Sequence, residues 1–170
     1  TVTTIPLKHR APSVGFLFEE KAMERHLVRS MVESYDIPLR LLKGIKNGDD
    51  YVTPDGELVP NERLTTPPTP PRRFAYCSDT AYSEKIVELI RGVDCLYHET
   101  TFLSEDMVRA KQTLHSTAAQ AAQIAQAAEV GKLIIGHYSA RYRQITPFLE
   151  EAKAIFPNTV GATDGAQFDI

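Results

Sequence analysis

A chain of 170 residues that is 42% hydrophobic and 24% charged can bury one core, and it is too apolar and too varied in composition to stay disordered. Its net charge of -3 excludes a uniformly basic nucleic-acid-binding surface, so any phosphate contact has to come from local clusters of cations. No apolar run approaches the ~18 residues of a membrane span, and no basic region followed by an apolar stretch opens the chain. Cys77 and Cys95 lack the spacing of a zinc knuckle or a redox pair and read as buried free thiols of a cytoplasmic protein.

TVTTIPL opens the chain as a β-branched strand, and VGFLFE forms a second, with KHRAPS as the turn between them. The chain thus begins as if inside a strand, and is expected to be part of a larger protein. From Glu19 to about Arg73 the texture changes. EEKAMERHLVRSMVESY reads as a charged amphipathic helix, IPLRLLKGIKNG follows, and YVTPDGELVP is a hairpin turning at Pro54-Asp55-Gly56. TTPPTPPRR favours extended polyproline conformation, so residues 19–71 read as an inserted arm on a stiff stalk between 1–18 and 72–170.

A regular rhythm then sets in. FAYC is a strand, SEKIVELIRG a helix from Ser83 to a stop at Gly92, and DCLY a strand. SEDMVRAKQ is a short helix, STAAQAAQIAQAAEVG an alanine-rich helix, and KLIIG a strand. TPFLEEAKAIF has Thr146 as N-cap and Pro147 at the first helical position, and TVGA and AQFDI close the chain as strands. Alternating strands and helices imply an α/β layered fold.

One regularity carries chemistry: ligand-type residues follow strand after strand. His9 follows TVTTIPL, Asp79 follows FAYC, His98 and Glu99 follow DCLY, and His137 follows KLIIG. Carboxyl ends of strands line the crevice of layered α/β folds, so these side chains can converge there. Imidazole and carboxylate together suit zinc, and a carboxylate has two oxygens with which to bridge a pair of ions. Spacing alone leaves open both a metal hydrolase centre and a set of hydrogen-bonded loop residues, with Asp79 as an Asx turn or cap. Ser116 and Thr117 precede the alanine-rich helix either as a phosphate-binding turn or as a plain N-cap. Lys8, Arg10 and Arg141 flank the proposed ligands as phosphate contacts or as members of ion pairs. His26 is assigned no role.

PLKHR at 6–10, SDT around Asp79, HETTF at 98–102, LHST at 114–117 and GHYSARY at 136–142 occur in the order found in ribonuclease Z, the tRNA 3′-processing endoribonuclease family. The chain therefore resembles that family over essentially its whole length. The resemblance implies the C-terminal part of a metallo-β-lactamase αββα sandwich, with 19–71 as the arm that grips precursor tRNA. It implies that His9 and His137 each ligate one of two zinc ions, that Asp79 bridges them, and that Glu99 and His115 deliver a proton to the leaving 3′-oxygen. An imidazole titrating near neutrality, with a carboxylate beside it, suits that last task. It also implies a homodimer in the complete enzyme.

The chain departs from the family in two respects. The HxHxDH block, which supplies four further ligands and the general base ahead of PLKHR, does not occur. A missing N-terminal half, weak or absent zinc binding and no activity of this chain alone are the corresponding expectations. The arm lacks a PPGP-like loop, and Arg40, Lys43 and Lys46 supply its local positive charge. A metallo-β-lactamase-fold phosphodiesterase with another substrate, or a metal-free interaction domain, are the alternatives.

Overall fold

In the computed structural model, which describes residues 1–170, β1 (Val2–Pro6) and β2 (Val14–Glu19) pair antiparallel, with Val2 opposite Phe18 and Pro6 opposite Val14. β1 is an edge strand, where the missing N–H of Pro6 removes no ladder bond. The chain then forms β3 (His26–Leu27), α1 (Arg29–Ser34), α2 (Leu39–Lys46), β4 (Tyr51–Val52), β5 (Leu58–Val59), α3 (Asn61–Leu64) and β6 (Thr65–Thr66). After these come β7 (Arg73–Cys77), β8 (Cys95–Glu99), α4 (Met107–Thr113), α5 (Ala118–Ala127), β9 (Lys132–Gly136), α6 (Thr146–Lys153) and β10 (Thr159–Gly161). The chain divides into two units, residues 1–20 with 72–170, and residues 21–71.

The larger unit is built on one mixed sheet of six strands in the order β1-β2-β7-β8-β9-β10. β7, β8, β9 and β10 are parallel neighbours, so their carboxyl ends lie along one edge of the sheet. Inward-facing Ile5, Leu17, Ala75, Leu96, Leu133 and Ile135 pack beneath α5 and α6. The helix α5 begins at a reciprocal cap: the Thr117 side chain accepts from the Gln120 N–H, and the Gln120 side chain accepts from the Thr117 N–H. Its fully buried face of Ala118, Ala121, Ala122 and Ala125 lets the helix lie close on the sheet. Cys77 and Cys95 are buried and unpaired, and burial pushes the Cys77 thiol up to about 12.

Helices cover one face of the sheet. On the opposite face Phe16, Phe18 and Tyr76 are 36%, 40% and 39% exposed, and Val2 and Val14 are more open still. Phe18 stacks on Phe74 and Tyr76 on Tyr97, with ring centroids 6.0 and 4.7 Å apart, so cross-strand pairs make a continuous aromatic stripe. One sheet with one helical layer is half of a four-layer sandwich.

The smaller unit has its own core of Ile37, Ile45, Tyr51, Val59 and Leu64. Asn61, almost fully buried, ties it together by donating to the carbonyls of Ile45 and Asp49. β4 and β5 form the hairpin around Gly56, whose φ of 88° suits a residue without Cβ. Arg40 and Lys43 are exposed on α2, and Lys46 pairs with Glu24 at 3.6 Å.

Four expectations need correction. The helix expected over EEKAMERHLVRSMVESY shrinks to Arg29–Ser34, because His26 and Leu27 instead pair with Thr66 and Thr65. SEKIVELIRG forms a 3-10 turn at Glu84–Ile86 followed by further tight turns. Ile86, Val87 and Ile90 are buried at helical spacing, but the backbone closes mainly through bonds three residues apart, from Val87 N–H to Glu84, Leu89 N–H to Ile86 and Val93 N–H to Ile90. α6 is capped by Ile145 rather than Thr146, and AQFDI forms no strand.

Candidate active site

Asp79 and His137 follow β7 and β9 directly or nearly so, and both take left-handed backbone conformations, with φ of 54° and 61°. Non-glycine residues rarely adopt this region, although Asp and His tolerate it better than most. Leu114, also left-handed at φ 60°, ends α4 and turns His115 inward. Three of these unusual backbone positions therefore aim side chains at one place, the pattern in which strain clusters at functional sites.

The side chains converge there. His137 Nε2 lies 3.4 Å from Asp79 Oδ1. The rings of His9 and His115 are 5.0 Å apart, and those of His115 and His137 are 5.4 Å apart. Ligand atoms of His9, Asp79 and His115 all lie within 4.8 Å of one another, as do those of Glu99, His115 and His137. Asp79 thus lies against His137 and within the same cluster as His9 and His115, and His115 in turn lies against His137.

Hydrogen bonds define which ring nitrogens are free. His9 Nδ1 meets the Leu114 carbonyl at 3.1 Å, and a carbonyl only accepts, so Nδ1 donates and Nε2 keeps its lone pair. His115 Nδ1 meets Glu99 Oε1 at 2.6 Å with the same consequence. Glu99 is fully buried and accepts five hydrogen bonds: to Oε1 from Thr80 N–H and His115, and to Oε2 from the Thr101 N–H, the Thr101 hydroxyl and Ser116 N–H. Every partner donates, so Glu99 serves as a carboxylate whose oxygens are already engaged, not as a vacant ligand. His98, buried beside it, donates from Nδ1 to the Glu99 carbonyl, and burial depresses its tendency to protonate.

Imidazole Nε2 atoms on His9 and His137 and the half-exposed carboxylate of Asp79 form a donor set that fits zinc. A ligand-type nitrogen of His115 also lies within 4.8 Å of ligand atoms of Asp79 and His9. Two recesses flank the cluster. One of about 350 Å³ lies beside His115 between Lys8, Tyr82 and Lys111, and one of about 460 Å³ lies beside His137 between Tyr97, Tyr138 and Asp164. Burial pushes the Tyr97 and Tyr138 phenols up to about 12, so both remain neutral near physiological pH.

The expected phosphate contacts separate into two groups. Ser116 is fully buried and its hydroxyl donates to the Thr80 carbonyl, while the Thr117 hydroxyl caps α5, so neither side chain is free for a phosphate. Arg10 is exposed and donates to the Gln112 carbonyl. Lys8 and Arg141 are exposed with no ion pair on their side chains. Thr80 and Thr101, which hold the Glu99 carboxylate, escaped the sequence reading. Their adjacency to Asp79 and Glu99 in SDT and HETTF was the available signal.

Comparison with known proteins bears on the fold and the family. The Beta-lactamase superfamily domain family matches residues 63–138. The metallo-beta-lactamase fold protein YhfI from Bacillus subtilis shares the fold at a TM-score of 0.58 and 15% identity, over 95% of this chain and 45% of that one. Ribonuclease Z from Parabacteroides distasonis is 52% identical over 170 residues, which is 100% of this chain and 56% of the relative. Ribonuclease Z from Bacteroides thetaiotaomicron is 58% identical over 163 residues, 96% of this chain and 52% of the relative. The chain spans about half the length of the curated relatives it matches. The chain is thus similar along essentially its whole length to about half of the ribonuclease Z proteins, and it shares the metallo-β-lactamase fold.

Proposed function

We propose that the chain is the C-terminal portion of a zinc-dependent endoribonuclease that removes the 3′ trailer of precursor tRNA by phosphodiester hydrolysis. The observation that carries this reading is the convergence of Asp79 with His137, His9 and His115, the last of them already bonded to a buried carboxylate. His9, Asp79 and His137 would hold the metal. When bound, two zinc ions would supply Lewis-acid stabilisation of phosphate charge and activation of water. His115, its Nδ1 held and its ring oriented by Glu99, presents Nε2 for donating a proton to the leaving 3′-oxygen. Lys8 and Arg141 contact the phosphates flanking the scissile bond, and Arg40, Lys43 and Lys46 give the 21–71 unit its contact with tRNA. The complete enzyme is read as a cytoplasmic homodimer.

The reading also assigns the bare sheet face. A second sheet, carried by the half of the relatives that this chain does not span, would cover Phe16, Phe18 and Tyr76 and bring the remaining ligands and the general base. Without it the chain is expected to bind zinc weakly and to cleave nothing, since three ligands shared by two ions fall short of the three or four that each zinc site needs.

Two experiments on the full-length protein test the assignment. His115→Ala is expected to retain bound zinc while turnover falls about 10²- to 10⁴-fold, the usual contribution of a positioned acid. The grouping of His115 with His9 and Asp79 favours a second reading in which His115 is itself a ligand, and loss of zinc in this variant would establish that reading instead. Deleting residues 22–64 and joining the ends is expected to weaken cleavage of precursor tRNA far more than hydrolysis of a small phosphodiester, because remote contacts assist only substrates that reach them. The deficit should shrink as salt rises, since counterion release drives phosphate contacts. Undiminished tRNA cleavage at low and moderate salt would remove the arm from substrate recognition.

A further inference from the structure

The hydroxyl of Thr101 lies between two groups that the proposed mechanism treats separately. Its Oγ1 is 2.6 Å from Glu99 Oε2 and 2.9 Å from His137 Nδ1. A hydroxyl has one proton, so only one of these contacts can be its donation. Glu99 Oε2 receives the Thr101 and Ser116 N–H groups besides, and as a carboxylate oxygen it has no proton to offer, so the hydroxyl proton points to Glu99. The remaining contact then requires Nδ1 of His137 to donate to Thr101 Oγ1. His137 Nε2 consequently faces Asp79 with its lone pair free.

We infer that Thr101 is a positioning residue that locks His137 in the Nδ1–H tautomer and couples it, through Glu99, to His115. Neutral imidazole in water favours the opposite tautomer, with the proton on Nε2, which cannot ligate through that atom. A ligating histidine whose far nitrogen is held by an oxygen has its tautomer and ring orientation set, and loss of such a partner commonly lowers metal affinity by about 10- to 100-fold. Here the oxygen is a hydroxyl that relays to a carboxylate, and that carboxylate also holds the Nδ1 of His115. The relay runs His137 Nδ1–H to Thr101 O–H to Glu99, with His115 Nδ1–H on the other oxygen. Thr101 is 7% exposed, so water does not easily replace it. The left-handed backbone of His137 holds the imidazole toward Thr101 at some conformational cost.

This inference refines the metal-ligand reading of His137 and rests on it for its functional meaning, but the tautomer itself can be measured without metal. The test is nitrogen-15 NMR of the imidazole rings in the chain as it stands, at a pH where His137 is neutral. Wild type is expected to show the Nδ1–H form for His137. Thr101→Val, which keeps the shape and removes the hydroxyl, is expected to shift His137 toward the Nε2–H form, and Thr101→Ser is expected to restore the wild-type pattern. A predominantly Nε2–H His137 in wild type would overturn the relay, and this result stands even if the valine variant fails to fold. A folded valine variant that keeps the wild-type tautomer would overturn it too. Titrating zinc into the full-length protein tests the underlying reading separately: perturbation at His137 Nε2 supports its ligand role, while a locked tautomer with no response to zinc there would leave the relay intact and remove the metal from it. Where zinc does bind, the valine variant is expected to need about 10- to 100-fold more of it, and the serine variant close to the wild-type concentration.

Discussion

Asp79→Ala in the full-length enzyme is expected to abolish metal-dependent cleavage, by about 10³-fold or more, and to reduce zinc content further than His9→Ala or His137→Ala. The reason is geometric. His137 Nε2 is 3.4 Å from Asp79 Oδ1, and ligand atoms of Asp79, His9 and His115 lie within 4.8 Å of one another, so Asp79 has a carboxylate within reach of both His9 and His137. On the proposed reading each of these two histidines would serve one ion and the aspartate two. Metal stabilisation of phosphate charge is worth several kcal/mol, and each 1.4 kcal/mol is about tenfold in rate, so removal of both ions has an effect of at least this size. Zinc per protein, measured beside the rate of precursor-tRNA cleavage, checks it. Equal zinc loss from the three variants would contradict the bridging position.

Glu99→Ala is expected to be the most damaging substitution for folding, costing about 3–5 kcal/mol as the loss of one partner in a buried charged network. Its carboxylate is fully buried and accepts three backbone N–H groups, a hydroxyl and an imidazole N–H. Removing it leaves Thr80, Thr101 and Ser116 amides without an acceptor where water has little access, and each such orphan costs about 1–3 kcal/mol. Glu99→Gln does not restore the site, because its amide would turn an N–H₂ group against donors. Thermal unfolding, with hydrogen exchange at those three amides, is the check. An unchanged melting temperature in Glu99→Ala would show that the five bonds do not hold these loops.

The contrast between these two acidic residues also shows where sequence reading succeeds and where it stops. Asp79 and His137 were legible because each follows a short apolar strand, and strands alternating with helices bring their carboxyl ends to one edge. The alanine-rich segment was legible as a helix from its composition, and the reciprocal cap of Thr117 with Gln120 that starts it came only with the structure. Residues 84–92 misled because Ile86, Val87 and Ile90 keep helical spacing while the backbone closes mainly in three-residue turns. His26 and Leu27 misled because their strand character comes from pairing with Thr65 and Thr66, some forty residues away. Ser116 looked like a phosphate ligand, yet its hydroxyl is spent on the Thr80 carbonyl, a partner 36 positions distant. Thr101 was invisible for a related reason: the direction of a hydroxyl proton depends on what surrounds it in space.

On the proposed reading, this chain carries one side of a divided metal centre, and its bare aromatic sheet face receives the other side. The exposed stripe of Phe16, Phe18 and Tyr76 should make the isolated chain self-associate, as uncovered apolar surface does. The most direct measurement mixes the chain with the separately produced remaining half of a ribonuclease Z and reads zinc per complex together with cleavage of precursor tRNA. Negligible activity from either part and recovery of about two zinc ions and trailer removal in the mixture is the predicted result. Robust zinc-dependent cleavage by the 170-residue chain alone would contradict it.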